Sequence, residues 1–111
     1  MLAALRADPV VTEVLDAKSE EMGPGVFRFK AEVEFNGTAL VERYLADDAI
    51  RDAWVAMLGA AATTADRRAM DAALALYGKA LVTALGDEVD RLEKVIMLIE
   101  PSIQHVDIET N

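Results

Sequence analysis

Phe27-Arg28-Phe29-Lys30-Ala31-Glu32-Val33-Glu34-Phe35 places an apolar residue at every odd position and a charge at every even one. Side chains alternate across a strand, so this stretch predicts one buried face and one wet face. Just before it, Met22-Gly23-Pro24-Gly25 reads as a turn, with proline to set φ and glycine to accept positive φ. Further upstream, Val10–Ser19 is rich in β-branched residues and predicts a first strand. Met1–Arg6 reads as the end of a helix, closed by Asp8-Pro9.

Downstream comes Asn36-Gly37, the strongest short hairpin signal. It predicts that Thr38–Leu45 returns as an antiparallel strand, with a helix over the same residues as the competing reading. Asp47-Asp48 then opens a helix through Ile50, Trp54, Met57 and Leu58, ending near Gly59. Thr63-Thr64-Ala65-Asp66 caps another. Met70, Leu74, Tyr77, Leu81, Leu85, Val89, Leu92, Ile96 and Ile99 follow at spacings of three or four, one helical stripe up to Pro101. Unbroken, that helix is about 50 Å long, more than the roughly 30 Å of a small globule. Either Gly78 or Gly86 breaks it, or part of it packs against a partner chain, which predicts a homodimer. Trp54 reads as a packing anchor, and Glu88, Asp90, Glu93 and Lys94 as a solvated helix face.

The last strand is Ile103-Gln104-His105-Val106-Asp107-Ile108-Glu109. Period two puts His105, Asp107 and Glu109 on one face and Val106 and Ile108 on the other. An imidazole flanked by carboxylates suits Zn²⁺ or a similar divalent metal. The plainer reading is a polar surface histidine.

At 111 residues the chain is read as one domain. It has no cysteine, which excludes disulfides, thiol nucleophiles and thiolate metal sites. Twenty acidic residues against eleven basic give a net charge of −9 and argue against nucleic acid or an anionic membrane surface as partner. Arg6 and Asp8 follow Met1–Leu5 too closely for a signal peptide, and no unbroken apolar run spans a bilayer. The lone histidine has no serine in a nucleophile motif, and Gly23-Pro24-Gly25 is too short for a phosphate loop. The chain is therefore not expected to be an enzyme.

The order helix end, strand, strand, helical region, strand, finishing in His-x-Asp, resembles the C-terminal cytoplasmic domain of the cation diffusion facilitator transporters. The resemblance sharpens in Lys18-Ser19, Arg28–Gly37, Arg43-Tyr44-Leu45, Leu85–Lys94 and His105–Glu109, and it covers nearly the whole chain. These segments are similar to the branch of the mitochondrial zinc transporter and its bacterial relatives. The resemblance implies an α+β fold, the ferredoxin-like (copper-chaperone-like) αββαβ sandwich. The region from Asp47 to Ile99 exceeds the family's short single helix, which suggests an inserted hairpin strand and an extra helix.

The resemblance also implies a fragment of an integral membrane Zn²⁺/proton antiporter. The fragment would dimerise on the cytoplasmic side of the membrane and work with its own transmembrane domain, and divalent cations would bind it or regulate it. His105 and Asp107 match the family's His-x-Asp pair, which ligates metal at the dimer interface of bacterial members. Glu32 stands where such members carry a histidine and could ligate through oxygen. Leu15 replaces another histidine and cannot ligate, although Asp16 lies beside it. One histidine and two carboxylates make a weak, oxygen-rich site unless a second chain contributes. Two alternatives stand beside this reading. One is a homodimerisation module with no metal role. The other is a free-standing ferredoxin-like metal carrier, which would normally show a CxxC loop.

Overall fold

The computed structural model describes residues 1–111. In chain order the elements are α1 (Leu2–Ala7), β1 (Val11–Gly23), β2 (Val26–Phe35), α2 (Gly37–Tyr44), α3 (Asp48–Thr63), α4 (Arg67–Ile99) and β3 (Ile103–Thr110). They form two compact units. One comprises Met1–Gly37 with Gly86–Asn111, and the other Thr38–Leu85.

The first unit has the order α, β, β, α, β, taking its second helix from the C-terminal end of α4. This is the expected ferredoxin-like α+β arrangement. Its sheet has the order β1-β2-β3, with β1 antiparallel and β3 parallel to the central β2. Pro24-Gly25 makes the β1–β2 turn, and Gly25 adopts φ 74°, which glycine accepts without steric cost.

The alternation in β2 is realised. Phe29, Ala31 and Val33 are buried, while Arg28, Lys30 and Glu32 are half-buried on the other face and Glu34 is exposed. The buried residues share a core with Leu5, Val10 and Val11 from the N-terminal segment, Leu92 and Ile96 from α4, and Ile103 and Ile108 from β3.

Thr38–Leu45 does not return as a strand, so the sheet gains no inserted hairpin strand. Gly37–Tyr44 is α2 instead. The reason is the position of β2. Its two edges are already taken by β1 and β3, which leaves no ladder for a fourth strand beside it. Neither Asn36 nor Gly37 adopts the positive φ of a tight hairpin turn. Leu40, Val41, Tyr44 and Leu45 satisfy helical spacing equally well, and Leu40 is buried.

The second unit comprises α2, α3 and the N-terminal part of α4. Asp47 caps α3 as expected, its carboxylate accepting from the Ala49 and Ile50 amides at 2.9 and 3.2 Å. The helix continues through Gly59 to Thr63. The Asp66 carboxylate accepts from the Arg68 amide at 2.9 Å as α4 begins. Trp54 does anchor this unit. Its indole N–H donates to the Tyr44 hydroxyl at 2.8 Å, and its ring meets Tyr77 edge-on with centroids 5.0 Å apart.

α4 runs unbroken for 33 residues, so neither Gly78 nor Gly86 interrupts it. A glycine inside a helix costs about 1 kcal/mol against alanine, too little to break so long a run. Leu92 and Ile96 are buried, but Leu74, Leu76 and Val82 are more than half exposed. By length and composition α4 also contains a window apolar enough to cross a membrane, although no continuous run of apolar residues is that long.

Phe29 is 2 % exposed. Phe29→Ala should therefore cost about 3–5 kcal/mol in urea denaturation. Lys30→Ala, on the opposite face, should cost about 0.5 kcal/mol or less. Similar losses from both would contradict the assigned faces.

Candidate metal site on the open face of the sheet

Register decides which side chains meet on the open face. Arg28 lies opposite His105, Lys30 opposite Asp107 and Glu32 opposite Glu109 across the β2–β3 ladder. On the other side, Glu20 pairs with Arg28, Lys18 with Lys30 and Asp16 with Glu32. His105, Asp107 and Glu109 therefore do share a face, as period two requires, and all three are exposed.

Two of the cations on this face make ion pairs with its carboxylates. Arg28 Nη2 donates to Asp107 Oδ2 at 3.2 Å, and Arg28 Nη1 lies 3.7 Å from Glu20 Oε1. Lys30 Nζ lies 3.4 Å from Glu109 Oε1. Glu32 is four residues, or roughly 13 Å of strand, from the rung of His105. The structure thus brings His105 and Asp107 together and leaves Glu32 apart, in a row with Asp16 and Glu109. Nowhere do three or more His, Asp or Glu side chains converge on one point that could hold an ion. Within a single chain, a metal at His105 and Asp107 would have two protein ligands and would compete with Arg28 for one of them.

A cleft of about 600 Å³ is lined by Met22, Arg28 and Gln104–Asp107 of the sheet and by Asp90, Glu93, Lys94 and Met97 of α4. Glu93 reaches across to accept the Ile108 amide N–H at 3.3 Å. Burial pushes the Glu93 carboxyl up from its ordinary range; the Ile108 hydrogen bond opposes this, and neighbouring Asp90 and Asp107 add to it.

Glu88 also departs from the expected solvated face. Its carboxylate accepts from Arg91 Nε at 2.6 Å and is mostly buried. The same guanidinium holds both oxygens of Asp8 at 2.9 Å, tying α4 to the α1–β1 junction. The hydrogen bonds from Asp8 raise the affinity of Arg91 for its proton; burial opposes them, and Glu88 adds to the rise.

No spacing in the sequence marks Arg28, Glu93 or Asp8 as partners of these groups. Only the alternation in β2 hints that Arg28 shares the face of a neighbouring strand's charges.

No protein-family model matches the chain, and no solved structure matches it. Curated relatives do. The chain is 50% identical over all its 111 residues to metal tolerance protein C4 of Arabidopsis thaliana. Over 105 residues, 95% of its length, it is 36% identical to the mitochondrial proton-coupled zinc antiporter SLC30A9 of Xenopus laevis and 33% identical to that of Homo sapiens. The chain is a domain of the cation diffusion facilitator family. It spans 24% of the plant relative and 18% of the vertebrate ones. In this facilitator domain the expected His-x-Asp pair is present and co-facial, with an arginine inserted against its aspartate.

Two outcomes test these contacts. Asp8→Ala removes the bidentate partner of Arg91 and the acceptor of the Val10 amide at 3.1 Å. It should lower unfolding free energy by about 2–3 kcal/mol in urea. For Glu93, a raised folded-state pKa means the native state binds the proton more tightly than the unfolded one. Its ionisation therefore costs stability at neutral pH, and that cost fades as pH falls through the raised value towards 4.5. Glu93→Gln keeps an acceptor for Ile108. It should leave the protein at least as stable at pH 7 and remove the gain seen in the parent as pH falls through that window, read from thermal melts.

Proposed function

We propose that this facilitator domain is the extramembrane dimerisation and regulatory module of a divalent-cation/proton antiporter, with Zn²⁺ as transported substrate, on the cytoplasmic side of the membrane. The match along the whole chain to a metal tolerance protein and to proton-coupled zinc antiporters carries this reading. The chain spans 24% and 18% of those relatives, a share that leaves most of each for a membrane domain. The transport step then belongs to a membrane domain elsewhere in the full protein, and this domain contributes assembly and control. The absence of any nucleophile motif fits binding rather than catalysis.

The exposed His105 and Asp107 support weak metal sensing on β3. A neutral imidazole nitrogen and one carboxylate oxygen supply two ligands. Arg28 holds Asp107 Oδ2 at 3.2 Å, and its positive charge lowers the affinity of that carboxylate for a cation. Glu32 lies too far along the ladder to join the same ion within one chain. Regulation requires that metal bind one arrangement of the protomers better than another.

The gene supplies the first test: an adjoining reading frame with about six apolar spans of some 20 residues is expected, and its absence would remove the transporter reading. The 111-residue chain supplies the second. Equilibrium sedimentation at tens of micromolar should give twice the chain mass. Calorimetric titration with Zn²⁺ should show weak binding that falls with falling pH, because ligation needs a neutral imidazole. His105→Ala should abolish that pH-dependent part. Equal binding by parent and variant would leave a constitutive dimerisation module without a metal role.

A further inference from the structure

Charge divides unevenly between the two units. The unit Thr38–Leu85 carries six acidic and five basic residues, a net of −1, which leaves −8 of the chain's −9 on the unit that holds the sheet. The repulsion that an acidic chain meets at an anionic membrane surface therefore falls on one unit. Within the nearly neutral unit, residues 53–65 carry no charge, and residues 72–85 carry only that of Lys79.

Much of this uncharged surface is left out of the unit's packing. The covered line of α4 runs through half-buried Met70, buried Ala73 and half-buried Tyr77, and Trp54 of α3 meets that line at Tyr77. Val82 lies nine residues beyond Ala73, about half a turn round the helix. It is 72% exposed. Leu74 and Leu76 are more than half exposed as well. At about 100° per residue they stand on opposite flanks of α4, so the arc from Leu74 through Val82 to Leu76 spans about 200°. A helix that is apolar all round is normally buried all round. α4 contains a window apolar enough to cross a membrane, and little of that window is buried.

The width of the arc selects what covers it. A neighbouring helix, from this chain or another, takes up a stripe of roughly 100°. Fluid acyl chains conform to the whole arc. Lys79 lies inside it, and its long stem lets the ammonium rise to the headgroups while the methylenes stay among the apolar groups. Residues 72–85 extend about 21 Å as a helix, short of the roughly 30 Å of a hydrocarbon core. That length fits a helix lying in the interface and not one crossing it.

We propose that the exposed apolar arc of α4, from Leu74 through Val82 to Leu76, lies in the surface of a zwitterionic bilayer and holds the helical unit against the membrane. This goes beyond the antiporter reading above but rests on it, since attachment to a membrane-embedded domain is what brings a bilayer within reach.

Flotation of the 111-residue chain with phosphatidylcholine vesicles at millimolar lipid tests it. A fraction of the chain should float with the vesicles, and replacing part of the lipid with phosphatidylserine should not increase that fraction. Val82→Asp and Leu76→Asp should each weaken partitioning by about tenfold or more. Both side chains are exposed, so helicity by circular dichroism should hold. The chain has no cysteine, so an environment-sensitive dye on Val82→Cys reports the contact. Its emission should shift to the blue with vesicles, while the same dye on Glu13→Cys of β1 should not shift. A parent chain that never floats, or a variant that floats as well as the parent, would overturn the inference. So would binding that needs phosphatidylserine, which would make the contact electrostatic. If Val82→Asp instead halves the sedimenting mass of the vesicle-free chain, the arc is a protein interface and the inference fails. The apolar spans expected in the adjoining reading frame test the antiporter reading separately, so the two failures are distinguishable.

Discussion

The central position of β2 is the constraint on which the rest of this domain depends. Its apolar face, Phe29, Ala31 and Val33, supplies three of the most deeply buried side chains in the molecule. Because β1 and β3 occupy both its edges, every later choice follows. The chain leaving Phe35 cannot add another strand beside β2, so it turns into α2. The parallel β2–β3 pair also requires a crossover, since parallel neighbours cannot be joined by a tight turn. The helices between Gly37 and Ile99 fill that crossover, and α4 delivers Leu92 and Ile96 to the core.

The same geometry shapes the open face. Once β2 is central, its even-numbered residues stand between the polar residues of two neighbours. Arg28 and Lys30 then lie among Glu20, Asp107 and Glu109, and the acidic chain gains three ion pairs. Each is partly exposed and worth at most about 1 kcal/mol. Their larger effect is on chemistry. Arg28 holds the carboxylate that the family resemblance assigns to metal, which makes an isolated chain a poor chelator. The distance of Glu32 from His105 points the same way.

Several elements were legible because their signals are local. The alternation in Phe27–Phe35, the Pro24-Gly25 turn, the Asp47 cap and the stop at Pro101 each depend on neighbours within a few residues. The co-facial placement of His105 and Asp107 was legible for the same reason, since period two is a property of any strand. Asn36-Gly37 misled because a hairpin needs a free edge as well as a turn, and the free edge is a non-local fact. The unbroken passage of α4 through two glycines likewise reflects the length of the run on either side more than the residues themselves.

The sequence by itself determined the strands β1 and β2 with the turn between them, the buried face of β2 and the placement of His105 and Asp107 on one side of β3. These are consequences of hydrophobic periodicity and of short-range backbone preference, which the chain carries wherever it goes. Only the tertiary structure decided that Thr38–Tyr44 is a helix, that Arg28 sits against Asp107 and not Glu32 against His105, that Glu93 caps the edge of β3 and that Arg91 clamps Asp8. Those outcomes depend on strand register and on which helix face meets which strand edge. Both are set by the closing of the core, where residues distant in sequence first become neighbours.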